Sequence, residues 1–201
     1  MSITSHTLFD PPPEDVAALV DAYPLAWVIS AGPAGQSATP LPLLAERDDT
    51  GAVAALFGHF ARANPQVALL EQDPAAMILV QGPQGYVAQR LVTNPTWGPT
   101  WNYAVARFDV DIRFVPDETA LALERLAAAL EQGQADPWTP DRMGARLDEL
   151  SRHIIAFRAT VRATHARFKL GQDEASGTFD EIVGGLEDRN LADWMVRATR
   201  G

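Results

Sequence analysis

The chain has 201 residues, 47% hydrophobic and 21% charged, with a formal net charge of −10 and no cysteine. That length and apolar content allow one large domain or two small ones with a sizeable core. The missing cysteine excludes a disulfide framework and thiolate chemistry, and the acidic balance argues against a surface built to coat nucleic acid.

The N-terminus, MSITSHTLFDPPPEDV, lacks the basic segment and apolar run of a signal peptide. No stretch approaches the roughly 18 apolar residues of a membrane span. The expectation is a soluble cytoplasmic protein without a membrane partner. Glu14 and Asp15 suit the positive end of a helix dipole. Val16, Leu19, Val20 and Tyr23 then recur at helical spacing, so residues 14–23 read as an amphipathic helix that Pro24 stops.

Four short strands are expected next, over residues 25–30, 36–43, 52–57 and 76–81. Pro40 and Pro42 make the second an edge or irregular strand. Gly32-Pro33, Asp49-Thr50-Gly51 and Gly82-Pro83 read as turns. Between the third and fourth strands, ARANPQVALLEQDP reads as a helix with Asn64 as N-cap and Pro65 as its first residue.

Two later strands alternate. In VARFDVDIRFV, Ala106, Phe108, Val110, Ile112 and Phe114 share one face, with Arg107, Asp109, Asp111 and Arg113 opposite. In IIAFRATVRA, Ile155, Phe157, Ala159, Val161 and Ala163 share one face, with Arg158, Thr160 and Arg162 opposite. One buried and one polar face is the pattern of antiparallel sheets. Residues 119–132 read as a helix with Asp117 as cap and Gly133 as stop. PWTPDRM, residues 137–143, reads as a connection. Thr178 with Glu181 fits a capping box, and Asn190 can cap a last helix, so about 174–199 forms a helical extension of a single domain over 1–201. The fold class is α+β, an antiparallel barrel with peripheral helices, and the absence of alternating βαβ units argues against a Rossmann fold.

No GxGxxG, GxxxxGK[ST], HExxH or GxSxG is present, and His6, His59, His153 and His165 form no ligand spacing. In GHFARANP, the helix N-terminus with Arg62 suits a phosphate, and a capped helix with one surface arginine is the alternative. In NPTWGPTWNY, Trp97 and Trp101 can form a flat wall for an aromatic ring or plug the barrel. In ATPLPL, the prolines leave backbone groups free to meet a ligand. Between Arg152 and Lys169 the chain carries four arginines and one lysine with no acid. That run is a local anion site or an arginine-rich solvated strand face.

In order along the chain, ATPLPLL (38–44), GHFARANPQ (58–66), QGPQGYV (81–87), PTWNY (99–103), FKLGQ (168–172) and the C-terminal GGLEDRN…LADWM resemble the PaiB-type FMN-binding negative transcriptional regulators. The likeness spans residues 25–195. Departures are Pro40 in place of a histidine, Ala88 to Leu91 after GPQGYV in place of a Ser-Pro and aromatic pair, and Gly171 and Asp173 within the lysine motif. The resemblance implies an FMN-binding split barrel and a homodimer that holds FMN between subunits. It implies phosphate contact by Arg62 and Asn64 with His59 nearby, and ring contact by Thr39 and the backbone near Leu41. Gln81 would reach the flavin's polar edge, and Thr100, Trp101, Asn102, Lys169 and Gln172 would line the site, some from the partner. It allows a flavin-dependent oxidoreductase of unknown substrate, a regulator acting on DNA directly or indirectly, or a barrel that has exchanged FMN for another small ligand. Net charge disfavours DNA, and no helix-turn-helix signature is present.

Lys169 is the only lysine among 16 basic residues. It falls on the family's lysine in a chain that otherwise uses arginine. An ammonium is a compact point charge where a guanidinium is a broad planar fork.

Overall fold

The computed structural model describes residues 7–32 and 35–199. The N-terminal residues and the Pro33 side of the expected Gly32-Pro33 turn lie outside them. Seven strands form one antiparallel sheet in the order β2-β1-β5-β6-β7-β4-β3. They are β1 (Leu25–Gly32), β2 (Gly35–Pro42), β3 (Leu44–Arg47), β4 (Val53–Ala61), β5 (Ala75–Val87), β6 (Thr100–Phe114) and β7 (Ile154–Lys169). The helices are α1 (Pro13–Ala22), α2 (Pro65–Gln72), α3 (Thr119–Leu130), α4 (Ala145–Ser151), α5 (Ser176–Gly185) and α6 (Arg189–Ala198). The fold is α+β, a curled but unclosed antiparallel sheet with peripheral helices. The proline-bearing β2 is an edge strand, as its missing N–H donors require.

β6 is the spine. Asn102, Ala104, Ala106, Phe108, Val110 and Ile112 are buried on one face while the intervening residues stay partly exposed. β7 follows that alternation only to Val161. A bulge against Asp109 and Val110 leaves Arg162 unpaired, so Val161 lies opposite Val110 and Ala163 lies opposite Asp109. Ala163 is therefore on the polar face, not on the face of Phe157 and Ala159, because one extra residue reverses a period of two.

Leu19 and Val20 of α1 and Leu191 and Met195 of α6 close the core against the sheet. Trp194 packs edge-on to Phe168, ring centroids 5.9 Å apart. Arg197 of α6 pairs with Asp15 of α1 at 2.6 Å. On the other side α3 is tied to the sheet by charge. Arg158 donates to Glu46 at 2.9 Å and to Glu118 at 2.5 Å, and Arg125 reaches Glu46 at 2.5 Å. Both guanidiniums lie over the Phe57 ring, at 4.6 and 5.0 Å.

Three caps differ from expectation. Asp188, not Asn190, caps α6 by accepting from Leu191 N at 3.1 Å. α5 has no side-chain cap, because it starts at Ser176 with Ala175 at its N-cap and Thr178 falls inside it, while Glu181 accepts from Thr93 N and Oγ1 at 2.8 and 2.6 Å. Glu118, not Asp117, stands at the start of α3 without a side-chain cap bond. The short α4 was not expected. Gly82-Pro83 is not a turn, since β5 runs through it with an irregularity between Gln81 and Gln84.

At Gly58 the backbone of β4 passes close to the chain leaving β2. A Cβ there would stand 2.5 Å from the buried Leu43 side chain and 3.1 Å from the Pro42 carbonyl. Gly58→Val should cost about 1–3 kcal/mol, as overpacking does, measured by urea unfolding. A wild-type midpoint would show that this approach is not tight.

Candidate functional site

The expected site residues fall into two groups. The first surrounds the β4–α2 turn. Asn64 caps α2, its Oδ1 accepting from Gln66 N at 2.9 Å. Its Nδ2 donates to Thr39 Oγ1 at 3.0 Å, and Thr39 donates to Gln66 Oε1 at 2.6 Å. Gln66 Nε2 donates to Val28 O at 3.1 Å and Ser30 Oγ at 3.0 Å. Gln66 is 1% exposed, so its amide stitches α2, β1 and β2 together from inside.

This network engages the amide groups expected to receive a phosphate. Gln66 N goes to Asn64, Val67 N to Asn64 O at 3.0 Å and Arg62 N to His153 O at 2.8 Å. The free charge at the turn is the Arg62 guanidinium, which is exposed and makes no ion pair or side-chain hydrogen bond among the described residues. Nearby on β4, His59 is half-buried, and its Nδ1 is buried without a partner. Burial holds its imidazole below the ordinary value of 6.5. Leu41 lies opposite Ala26 and is half-buried.

The second group lies where β5, β6 and β7 end together. Lys169 donates its ammonium to Thr100 Oγ1 and to Trp101 O, the latter at 3.2 Å. Trp101 is half exposed, its Nε1 donates to Gln84 Oε1 at 2.7 Å, and its ring lies 6.0 Å from that of Tyr86. Gln81, Gln84, Trp101 and Tyr103 line a cavity of about 290 Å³.

Two expected residues point elsewhere. Asn102 is buried toward α6, Nδ2 3.5 Å from Met195 Sδ, with its Oδ1 unpartnered. Gln172 closes the turn after β7, accepting from Leu170 N at 2.8 Å and donating to Phe168 O at 2.6 Å. Gly171 makes that turn at φ +89°. Trp97 stands apart from Trp101, donating to Glu174 at 3.0 Å. The basic residues of β7 form no continuous patch. Arg158 serves Glu46 and Glu118, and Arg162 pairs with Asp111.

Among the described residues no hydrogen bond joins the two groups. Gln66, Gln84, Tyr86 and Tyr103 were not singled out from sequence, although each lies inside a quoted motif. The one available signal was Gln66, a polar residue opening the apolar run VALL.

A family model described as "Putative FMN-binding domain" matches residues 6–163. The chain belongs to that family. Its cofactor is FMN. An uncharacterized protein of Emericella nidulans is 27% identical over 166 residues, 66% of each chain, so the match spans just under two thirds of that relative. The fold is similar to a FAD and heme binding protein from Mycobacterium smegmatis, with TM-score 0.60, 16% identity, and coverage of 87% of this chain and 78% of that one. It is similarly close to a flavocytochrome from Azotobacter vinelandii, with TM-score 0.60, 16% identity, and coverage of 83% and 72%. A conserved hypothetical protein from Mycobacterium tuberculosis gives TM-score 0.59 at 13% identity over 83% and 90%. At these identities the structures show the split-barrel fold alone.

The residues present fit FMN. Arg62 offers a free cation for a phosphate, His59 Nδ1 is a buried polar atom lacking a partner, and Trp101 and Tyr86, their ring planes 49° apart, form an apolar corner beside two amides and an ammonium. No helix among the described residues is long and apolar enough to cross a membrane.

His59 also sets a pH dependence. Unfolded, the imidazole takes a proton near 6.5, whereas the fold resists it, so the unfolded state binds more protons just below that value. Unfolding free energy should fall as pH drops from 6.5 toward the lowered folded value. Urea unfolding at about pH 7.5 and about pH 5.5 checks this, since His59→Gln should flatten that interval. The fall that Glu46 causes lies lower, below 4.5. Burial raises that carboxyl, but the Arg158 and Arg125 hydrogen bonds outweigh it and hold it down. An unchanged slope in His59→Gln would remove the histidine from the account.

Proposed function

We propose that the chain is a homodimeric FMN flavoprotein of the PaiB-like type, acting as an oxidoreductase with the cofactor held between subunits. The observation that carries this reading is the separation of the two groups. A free arginine and a buried, unpartnered histidine atom stand at the β4–α2 turn. Amides, aromatics and a lysine stand at the far end of β5, β6 and β7. Each is half of what a flavin nucleotide requires, and a two-fold partner supplies the other half without rearranging either. Leu25 and Trp27, 63% and 46% exposed on β1, give the sheet an uncovered apolar patch that a second copy can bury.

Arg62 would hold the phosphate, with the network of Gln66, Asn64 and Thr39 fixing the turn that presents it. Gln81 and Gln84 would meet the polar edge of the ring, Trp101 its face, and Lys169 its electron-rich end. Bound FMN supplies hydride or electron transfer, and the protein's part is to position it and tune its surroundings. Direct action on DNA is not favoured, because Arg158 and Arg162 of β7 are spent on Glu46, Glu118 and Asp111 in a chain of net charge −10.

Purified protein should show a flavin absorption spectrum or take up added FMN, and should sediment as a dimer. A colourless monomer that gives no calorimetric signal with FMN sinks the reading. Arg62→Gln should weaken FMN binding about tenfold to a hundredfold, the range of a lost charged hydrogen bond. Lys169→Arg should also weaken it although charge is kept, because the ammonium sits between one hydroxyl and one carbonyl. An unchanged dissociation constant in Lys169→Arg would make that lysine a surface charge and nothing more.

A further inference from the structure

β4 covers β7 only along Ile154–Thr160, whereas β6 follows β7 to Lys169. Residues 161–169 of β7 therefore have a strand neighbour on one side only. The segment before α1 lies over this stretch, with Phe9 buried beneath the Arg167 guanidinium, 4.8 Å from its ring centroid. Between that segment, the edge of β7 and the outer face of β5 and β6 runs a groove of about 620 Å³. None of the motif residues assigned to FMN lines it.

The groove has an apolar floor and a cationic wall. Leu79, Val105, Pro11 and Pro13 supply the first, and Arg107 and Arg167 the second, with His165 beside them. Asp10 is the carboxylate on its lining. Arg107 meets Asp109 Oδ2 with Nη2 at 3.3 Å, and His165 Nε2 shares that oxygen at 3.3 Å. Arg107 Nε is buried and has no partner. Arg167 makes no ion pair or side-chain hydrogen bond among the described residues, although Phe9 holds it in place. Two fixed arginines with donors to spare thus stand at one concave surface of a chain with net charge −10. An arriving anion gains charge-assisted bonds from the accessible guanidinium nitrogens of both arginines. The apolar floor asks that the anion carry a hydrophobic body.

Val105 belongs to this groove and to the smaller cavity of Gln81, Trp101 and Tyr103. The two concavities meet along β6. We propose that the groove binds a flat organic anion, its carboxylate on Arg107 and Arg167 and its ring on Leu79 and Val105, as the substrate of the flavoprotein. The substrate role rests on the FMN reading, and the binding itself does not.

The test titrates 2-naphthoate into the full-length chain by calorimetry, without FMN and then with it, using neutral 2-naphthalenemethanol as control. Naphthoate should bind both forms, and the alcohol should bind far more weakly. Arg107→Gln and Arg167→Gln should each weaken naphthoate about tenfold or more, with Arg107→Lys recovering part of the loss. FMN affinity should be the same in all three, showing that they fold. Equal binding of acid and alcohol, or wild-type affinity in both glutamine variants, overturns the site. With FMN bound, naphthoate should shift the flavin absorption bands. Arginine-dependent binding with no such shift overturns the substrate role. Naphthoate binding to a chain that takes no FMN sustains the groove while the flavin reading fails.

Discussion

The buried side-chain amide of Gln66 is the contact on which the rest of the site depends. β2 is an edge strand with two prolines and a single strand neighbour, so little in the sheet itself fixes it. Gln66 reaches it through Thr39 and reaches β1 through Val28 O and Ser30, while its own N–H is held by Asn64. In a dry interior each of these bonds is strong when made and expensive when missing, so the set behaves as one unit. It fixes the start of α2 against β1 and β2, next to the turn that carries Arg62. Asn64 and Thr39 contribute by orientation, not by offering free atoms.

A second constraint is the phase of β6. Its alternation is unbroken over Thr100–Phe114, so one face builds the core and the other stays available for chemistry. Gln81, Tyr103, Val105, Arg107 and their β7 partners follow that outer face from an aromatic end with Lys169, past Arg167, to Arg107 opposite His165. The bulge at Arg162 preserves this arrangement. Without it, Ala166 and Phe168 would point outward and the basic residues would enter the core. One inserted residue therefore decides which side of β7 carries charge.

Much of the fold was legible because it rests on period. The two long strands, α1 and α2 with its Asn64 cap follow from apolar spacing and capping chemistry. What was not legible is tertiary. Gly82 reads as a turn signal, yet its lack of a side chain admits Leu19 and Ala104 of the core, so β5 continues. Ala163 reads as buried until the bulge is known. Thr178 and Glu181 have the spacing of a capping box, but Thr93, distant in sequence, claims the glutamate. The site shows the same division. The family motifs mark the segments that form the two groups, but they do not separate residues whose polar atoms are consumed internally, such as Asn64 and Gln172, from those left free, such as Arg62. That distinction depends on what each side chain meets across the sheet.

The division between arginine and lysine in this chain follows from the same geometry. At two of its carboxylate contacts the chain uses the breadth of the arginine fork. Arg158 spans Glu46 and Glu118, and Arg142 grips Asp136 through two nitrogens at 3.2 and 2.5 Å. Lys169 has no carboxylate to span. Its partners are a hydroxyl and a backbone carbonyl at the corner where β6 begins, and Tyr103 lies opposite it on the ladder. A guanidinium there would leave most of its donors unmatched. A point charge held by neutral acceptors is not cancelled by a counter-ion beside it. The one place where the chain departs from arginine is thus a place where an ammonium is held by neutral acceptors beside two aromatic rings.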